Sequence, residues 1–169
     1  MSSPGNPALS LDEIFISPRA VQPPPVRRAL FIFLLSLAAA LQVATIGWGV
    51  LYNETDGQYA GAAREMLESQ QFLTPTNDGI PRLQKPPLIY WMIAVSLEAV
   101  GLTTAAVRLP IALANCAAIA LTFLIGDRLG GPWRGFHAGL IHLCCCGMFL
   151  LGRIVMPEPV FSAFIAGAI

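Results

Sequence analysis

RRALFIFLLSLAAALQVATIGWGVL, residues 27–51, decides the fold. After Arg27 and Arg28 the run holds no charged side chain, and about 20 apolar residues suffice for a helix to cross the bilayer hydrocarbon. A spanning helix is expected at about 29–51. Paired arginines directly before it place the N-terminus in the cytoplasm, because basic residues favour that side. The run starts too far into the chain, and is too long, for a cleavable signal peptide, so it reads as a retained anchor. The whole chain agrees: 55% of its residues are hydrophobic and 12% charged, against about 25% charged in soluble domains. Equal numbers of acidic and basic residues speak against a nucleic-acid partner.

Working outward, residues 1–28 carry Pro4, Pro7, Pro18, Pro23, Pro24 and Pro25 without sustained periodicity, and read as a disordered cytoplasmic tail. Residues 52–104 form a polar loop on the outer side. Within it, Thr55 and Gln58 fit a capping box that starts a helix near Asp56. Tyr59, Ala62, Ala63, Met66 and Leu67 make one apolar stripe at helical spacing, the pattern of an amphipathic helix on the membrane surface. Pro75, Asn77, Asp78, Gly79 and Pro81 mark a loop.

Residues 88–100 are apolar but short for a span, and suit an interfacial or re-entrant helix. Further spans are expected at about 105–126, 133–152 and from 159 onward, with a tight loop at 127–134. If 88–100 does not cross, Arg128 and Arg134 fall in the cytoplasm and Asp56, Lys85 and Glu158 share the outer side. That is the simpler parse. The chain ends inside its fourth apolar run, which reads as a fragment or an incomplete last helix. The fold class is therefore all-α, a polytopic membrane helix bundle with amphipathic juxtamembrane helices in its first outer loop.

The four cysteines lack metal-binding or CxxC spacing and read as small packing residues. His137 and His142, about 140° apart on one helix, do not form a metal pair. Asp56 is either a carboxylate favoured by a helix N-terminus or a general base at the membrane boundary; Glu54 is a weaker candidate beside it. Lys85 is either a snorkelling lysine or a point charge for a phosphate, with Arg82 as second partner. Glu158 is either a charge at a helix start or a second acid facing the same outer cavity. Arg153 could pair with it or with a phosphate.

Five blocks occur in order: TDGQYAGAAREML (55–67), FLTP (72–75), GIPRLQKPPLIYW (79–91), AVRLP (106–110) and RIVMPE (153–158). Together they resemble the N-terminal part of bacterial GT-C membrane glycosyltransferases, in the aminoarabinose (lipid A) transferase and protein O-mannosyltransferase-like group. The resemblance runs from about residue 27 to the end. It implies an outer-face active site in the inner membrane and a donor sugar on polyprenyl phosphate. It also implies a lipid, glycan or protein acceptor. The family's first acid, near the acceptor, matches Asp56; its carrier-phosphate lysine matches Lys85; its second acid matches Glu158. Relatives often carry adjacent acids where this chain has Thr55-Asp56, and Asp where it has Glu158, so the choice of general base stays open. The expected site is Asp56 and Glu158 for catalysis, with Lys85, Arg82, Glu54, Tyr59 and Arg153 for substrate. No metal ligand is assigned, no cofactor is certain, and a divalent metal stays an open alternative. Family members carry more helices than this chain. A truncated, non-catalytic scaffold or lipid-binding subunit is the alternative reading, and a transporter segment a weaker one, since the spans hold few charges.

Overall fold

The first apolar helix begins earlier than its charge pattern suggests, at Pro24. In a computed structural model that describes residues 24–51, 55–145 and 154–169, helix α1 spans Pro24–Ile46. Residues 24–28, read as the end of a disordered tail, are helical. Proline is tolerated in a first helical turn, where no N–H partner is lost. Arg27 is also anchored, 2.6 Å from the Asp127 carboxylate.

Helix α2 is Asp56–Ser69. Strands β1 (Thr76–Asn77) and β2 (Ile80–Pro81) pair antiparallel. Helices α3 (Leu88–Val100), α4 (Thr104–Gly130), α5 (Pro132–Cys144) and α6 (Glu158–Gly167) follow. Among the described residues, two helical stretches are long and apolar enough to cross a membrane, Pro25–Ile46 and Thr104–Gly130. Helix α3, with 13 residues, is only about 20 Å long.

Helix α4 is the axis of the molecule, with α1, α3, α5 and α6 all packed on it. Arg108 and Asp127 stand near its two ends, 19 residues and about 28 Å apart, close to the hydrocarbon thickness of a bilayer. Helix α1 runs antiparallel to it. Arg27 meets Asp127 at one end, and the carbonyls of Ile46 and Trp48 meet Arg108 at the other. Both the start of α2 and the end of α3 also lie at the Arg108 end, so the intervening chain leaves and returns on one side.

Pro110 interrupts α4. It has no N–H for the carbonyl four residues back, that of Ala106. Ser96 of α3 supplies the missing donor, its hydroxyl 2.6 Å from that oxygen. A helix irregularity thus becomes the stitch between α3 and α4. Thr103 caps α4, accepting from the Ala106 N–H at 3.1 Å, as an N-cap threonine does.

The expected loop at 127–134 is nearly absent. Helix α4 continues to Gly130 and α5 starts at Pro132, leaving Gly131 alone as the turn, at φ +89°. That left-handed conformation is open to glycine without a Cβ clash. The helices then close tightly: a Cβ on Gly126 would stand 2.9 Å from the Gly135 Cα. Further along the same pair, Thr122 and the His142 ring are hydrogen-bonded at 3.0 Å. Residues 146–152 of the third expected span lie outside the described residues.

Two cores result. One, toward Asp127, gathers Leu34, Ala38, Ile119, Phe123 and Leu143. The other, toward Arg108, joins α2, α3, α4 and α6 through Met66, Tyr90, Ile93, Ile111 and Val160. The apolar stripe of α2 is buried in this second core, against α3 rather than against lipid. The capping box is not formed: the Thr55 side chain caps no backbone N–H and lies 3.5 Å from its neighbour Asp56 Oδ1.

Candidate functional site

Asp56 has no exposed surface. One carboxylate oxygen lies 3.2 Å from the Arg108 guanidinium. The other accepts the Val155 N–H at 2.8 Å. Arg108, itself buried, donates further to the carbonyls of Trp48 at 2.6 Å and Val50 at 3.1 Å. These carbonyls follow the end of α1, where backbone acceptors lose their helical partners. One ion pair therefore fastens four segments: the exit of α1, the start of α2, the first turns of α4 and the segment leading into α6.

That segment ends at Glu158. Its side chain is half exposed and opens α6, where a negative charge suits the helix N-terminus. Its carboxylate faces the Lys85 ammonium at 3.9 Å. With side chains 43% and 55% exposed, such a pair contributes about 0–1 kcal/mol, so an incoming anion can displace Glu158 from Lys85. Lys85 and Glu158 are 73 residues apart in sequence and meet only through the fold.

Arg82 lies over the Tyr59 ring, 5.6 Å from its centroid. The Tyr59 and Tyr90 rings are 5.3 Å apart. Burial, with Tyr90 and Glu158 nearby, pushes the Tyr59 phenol above its ordinary value against the opposing charge of Arg82, so it is protonated at neutral pH. Among the described residues, the Tyr90 hydroxyl and one Arg82 nitrogen (Nη1) are buried without a hydrogen-bond partner. Buried polar groups are nearly always paired, so these two donors are available to a ligand.

Of the expected site residues, the structure brings Lys85, Glu158, Arg82 and Tyr59 to one end of the bundle. Asp56 sits beneath them, closed off by Arg108 and Val155. Glu54 and Arg153 lie outside the described residues. Among the described residues no three metal-ligating side chains converge. Sequence reasoning did not assign Arg108 to the site. An ionisable group inside an apolar span is itself a signal, and it stood in the AVRLP block. Tyr90 has no sequence signal beyond its place in the GIPRLQKPPLIYW block.

Residues 84–169 match the family model described as dolichyl-phosphate-mannose-protein mannosyltransferase. An uncharacterized protein of Aquifex aeolicus is 29% identical over 136 residues, covering 80% of this chain and 27% of that protein. The undecaprenyl phosphate-alpha-4-amino-4-deoxy-L-arabinose arabinosyl transferase 2 of Sodalis glossinidius is 25% identical over 136 residues, covering 80% of this chain and 25% of its own length. Two crystal structures of ArnT from Cupriavidus metallidurans, one apo and one bound to undecaprenyl phosphate, share the fold. Each has a TM-score of 0.76 at 20% identity, covering 83% and 82% of this chain respectively and 26% of ArnT. The chain spans about a quarter of the length of the curated relatives it matches. With half of its residues inside the family model and its helical arrangement repeated in ArnT, the chain belongs to the dolichyl-phosphate-mannose-protein mannosyltransferase family, a group of membrane glycosyltransferases.

Proposed function

We propose that this chain is the N-terminal part of a membrane glycosyltransferase that moves a sugar from a polyprenyl-phosphate donor to a lipid, glycan or protein acceptor. The observation that carries the reading is the Lys85–Glu158 apposition, a cation and an acid held loosely at one end of the bundle beside Arg82. Undecaprenyl phosphate in the name of one relative and bound in one structure of the shared fold supports the choice of carrier.

In this mechanism the donor phosphate displaces Glu158 from Lys85. The acceptor hydroxyl attacks the anomeric carbon as the bond from that carbon to the phosphate oxygen breaks. The electron pair leaves with the phosphate, where Lys85 and Arg82 offset the growing charge. The freed Glu158 carboxylate takes the acceptor proton. A single displacement inverts the anomeric centre. Asp56 acts as a positioning residue: through the Val155 N–H it holds the segment that sets Glu158.

The site faces the periplasm in this reading. Arg27, Arg28, Arg128 and Arg134 flank the opposite ends of the helices, as cytoplasmic arginines do. The chain then spans the inner membrane several times with its N-terminus inside. The test is a transfer assay on the full-length protein with defined polyprenyl-phosphate sugars and a panel of acceptors. Transfer by the wild type and its loss in Lys85→Ala support the proposal. Equal transfer by both removes Lys85 from the site, and a full-length protein that transfers from no such donor returns the chain to a non-catalytic lipid-binding role.

A further inference from the structure

The segment that brings Arg82 and Lys85 into the site is a hairpin docked on α2 through the Glu65 carboxylate and a close contact at Gly61. Glu65 accepts the Thr76 hydroxyl at 2.7 Å, the Asp78 N–H at 2.5 Å and the Gly79 N–H at 3.4 Å. Asp78 and Gly79 are the two central residues between the paired strands, with φ of +54° and +74°. Two left-handed residues in a two-residue loop make the tight turn preferred by hairpins, and successive N–H groups of such a turn form a seat for an anion. One helical turn before Glu65, the Asn77 amide oxygen fills the place a Cβ would take on Gly61. The hairpin is thus fixed at two adjacent points of α2. Directly after β2, the Arg82 N–H closes the loop on the Pro75 carbonyl at 2.7 Å, and Lys85 follows three residues later.

We infer that Glu65 is a positioning residue for the phosphate site: by anchoring the Asp78–Gly79 turn it sets the reach of Arg82 and Lys85. The inference rests on the reading of Lys85 as the phosphate contact. Glu65 has no part in the packing of α2 on α3, which uses Tyr59, Ala62, Ala63 and Met66. Its loss therefore moves the hairpin and leaves the helix pair in place.

The test is a binding titration of undecaprenyl phosphate against the full-length protein, reading affinity and stoichiometry separately. Misfolding lowers the number of sites at constant Kd; mispositioning raises Kd at constant stoichiometry. Glu65→Gln, which keeps shape and removes the charge, is expected to raise Kd roughly tenfold, the scale of one lost charge-assisted bond. Gly79→Val, a β-branched residue at positive φ, is expected to do the same, whereas Gly79→Asn, tolerant of that φ, keeps the wild-type value. A wild-type Kd in Glu65→Gln, with Lys85→Ala weakened, overturns the role of Glu65 and leaves the phosphate site standing. A wild-type Kd in Lys85→Ala overturns the reading beneath it.

Discussion

The Asp56 carboxylate and the Arg108 guanidinium lie 3.2 Å apart with side-chain exposures of 0% and 5%, joining the start of α2 to the first turns of α4. Removing one member of a buried pair costs roughly 3–5 kcal/mol, because the other charge is left uncompensated. Asp56→Asn keeps an acceptor for the Val155 N–H and leaves Arg108 without its anion. Full-length Asp56→Asn and Arg108→Met are each expected to melt well below the wild type in detergent. A double variant is expected to recover part of the loss. An Asp56→Asn protein with wild-type stability and no transfer would move Asp56 from positioning to chemistry.

Ser96→Ala removes the donor that replaces the absent N–H of Pro110. The Ala106 carbonyl is then buried and unpaired, which costs about 1–3 kcal/mol. The expected result is a lower melting point with unchanged donor affinity. Pro110→Ala restores a backbone donor to the same carbonyl, so Ser96→Ala is expected to cost less in that background. Thermal melts of the four proteins check this.

Lys85 and Glu158 separate binding from turnover. Lys85→Ala is expected to weaken binding of undecaprenyl phosphate. Glu158→Gln is expected to leave that binding unchanged or tighter, since it frees Lys85, while turnover falls by about 100-fold or more with the loss of a general base. Parallel titrations and transfer rates show whether the two effects divide in this way.

The Glu65 carboxyl is held below its ordinary value of 4.5, chiefly by the Thr76 hydroxyl and also by the Asp78 and Gly79 N–H groups. A depressed folded value means that the anion's contribution is present above about 4.5 and lost as pH falls through the folded value. Hydrogen-exchange protection at Asp78 and Gly79, corrected for intrinsic rates, is expected to be flat above pH 5 and to fall in acid. In Glu65→Gln it is expected to be low throughout.

The helical bundle itself was legible because long apolar runs report helices directly. The residues of the proposed site stand in GIPRLQKPPLIYW and RIVMPE, ordered blocks that the sequence shows directly. Tertiary pairing was hidden from sequence. Nothing local to Asp56 says that its partner stands 52 residues later on α4, and the apparent capping box at Thr55 gave way to that pairing. The turn at 127–134 was overestimated because Gly130, Gly131 and Pro132 read as a breaker cluster, while proline at the first position of α5 and one left-handed glycine accommodate it. Glu65 lies off the apolar stripe of α2 and belongs to no motif of its own. Its role depends on a hairpin whose Asp78-Gly79 signal was read only as a loop.

Lys85 is the only lysine in the chain, so its chemical state can be followed alone on the peptide that carries it. The most direct measurement is amine-selective labelling of Lys85 in the full-length protein, with and without undecaprenyl phosphate, read by mass spectrometry. Bound carrier is expected to protect Lys85 in a saturable way, and Glu158→Gln to speed labelling in its absence. Full labelling of Lys85 at saturating undecaprenyl phosphate would contradict the assignment of this end of the bundle as the phosphate site.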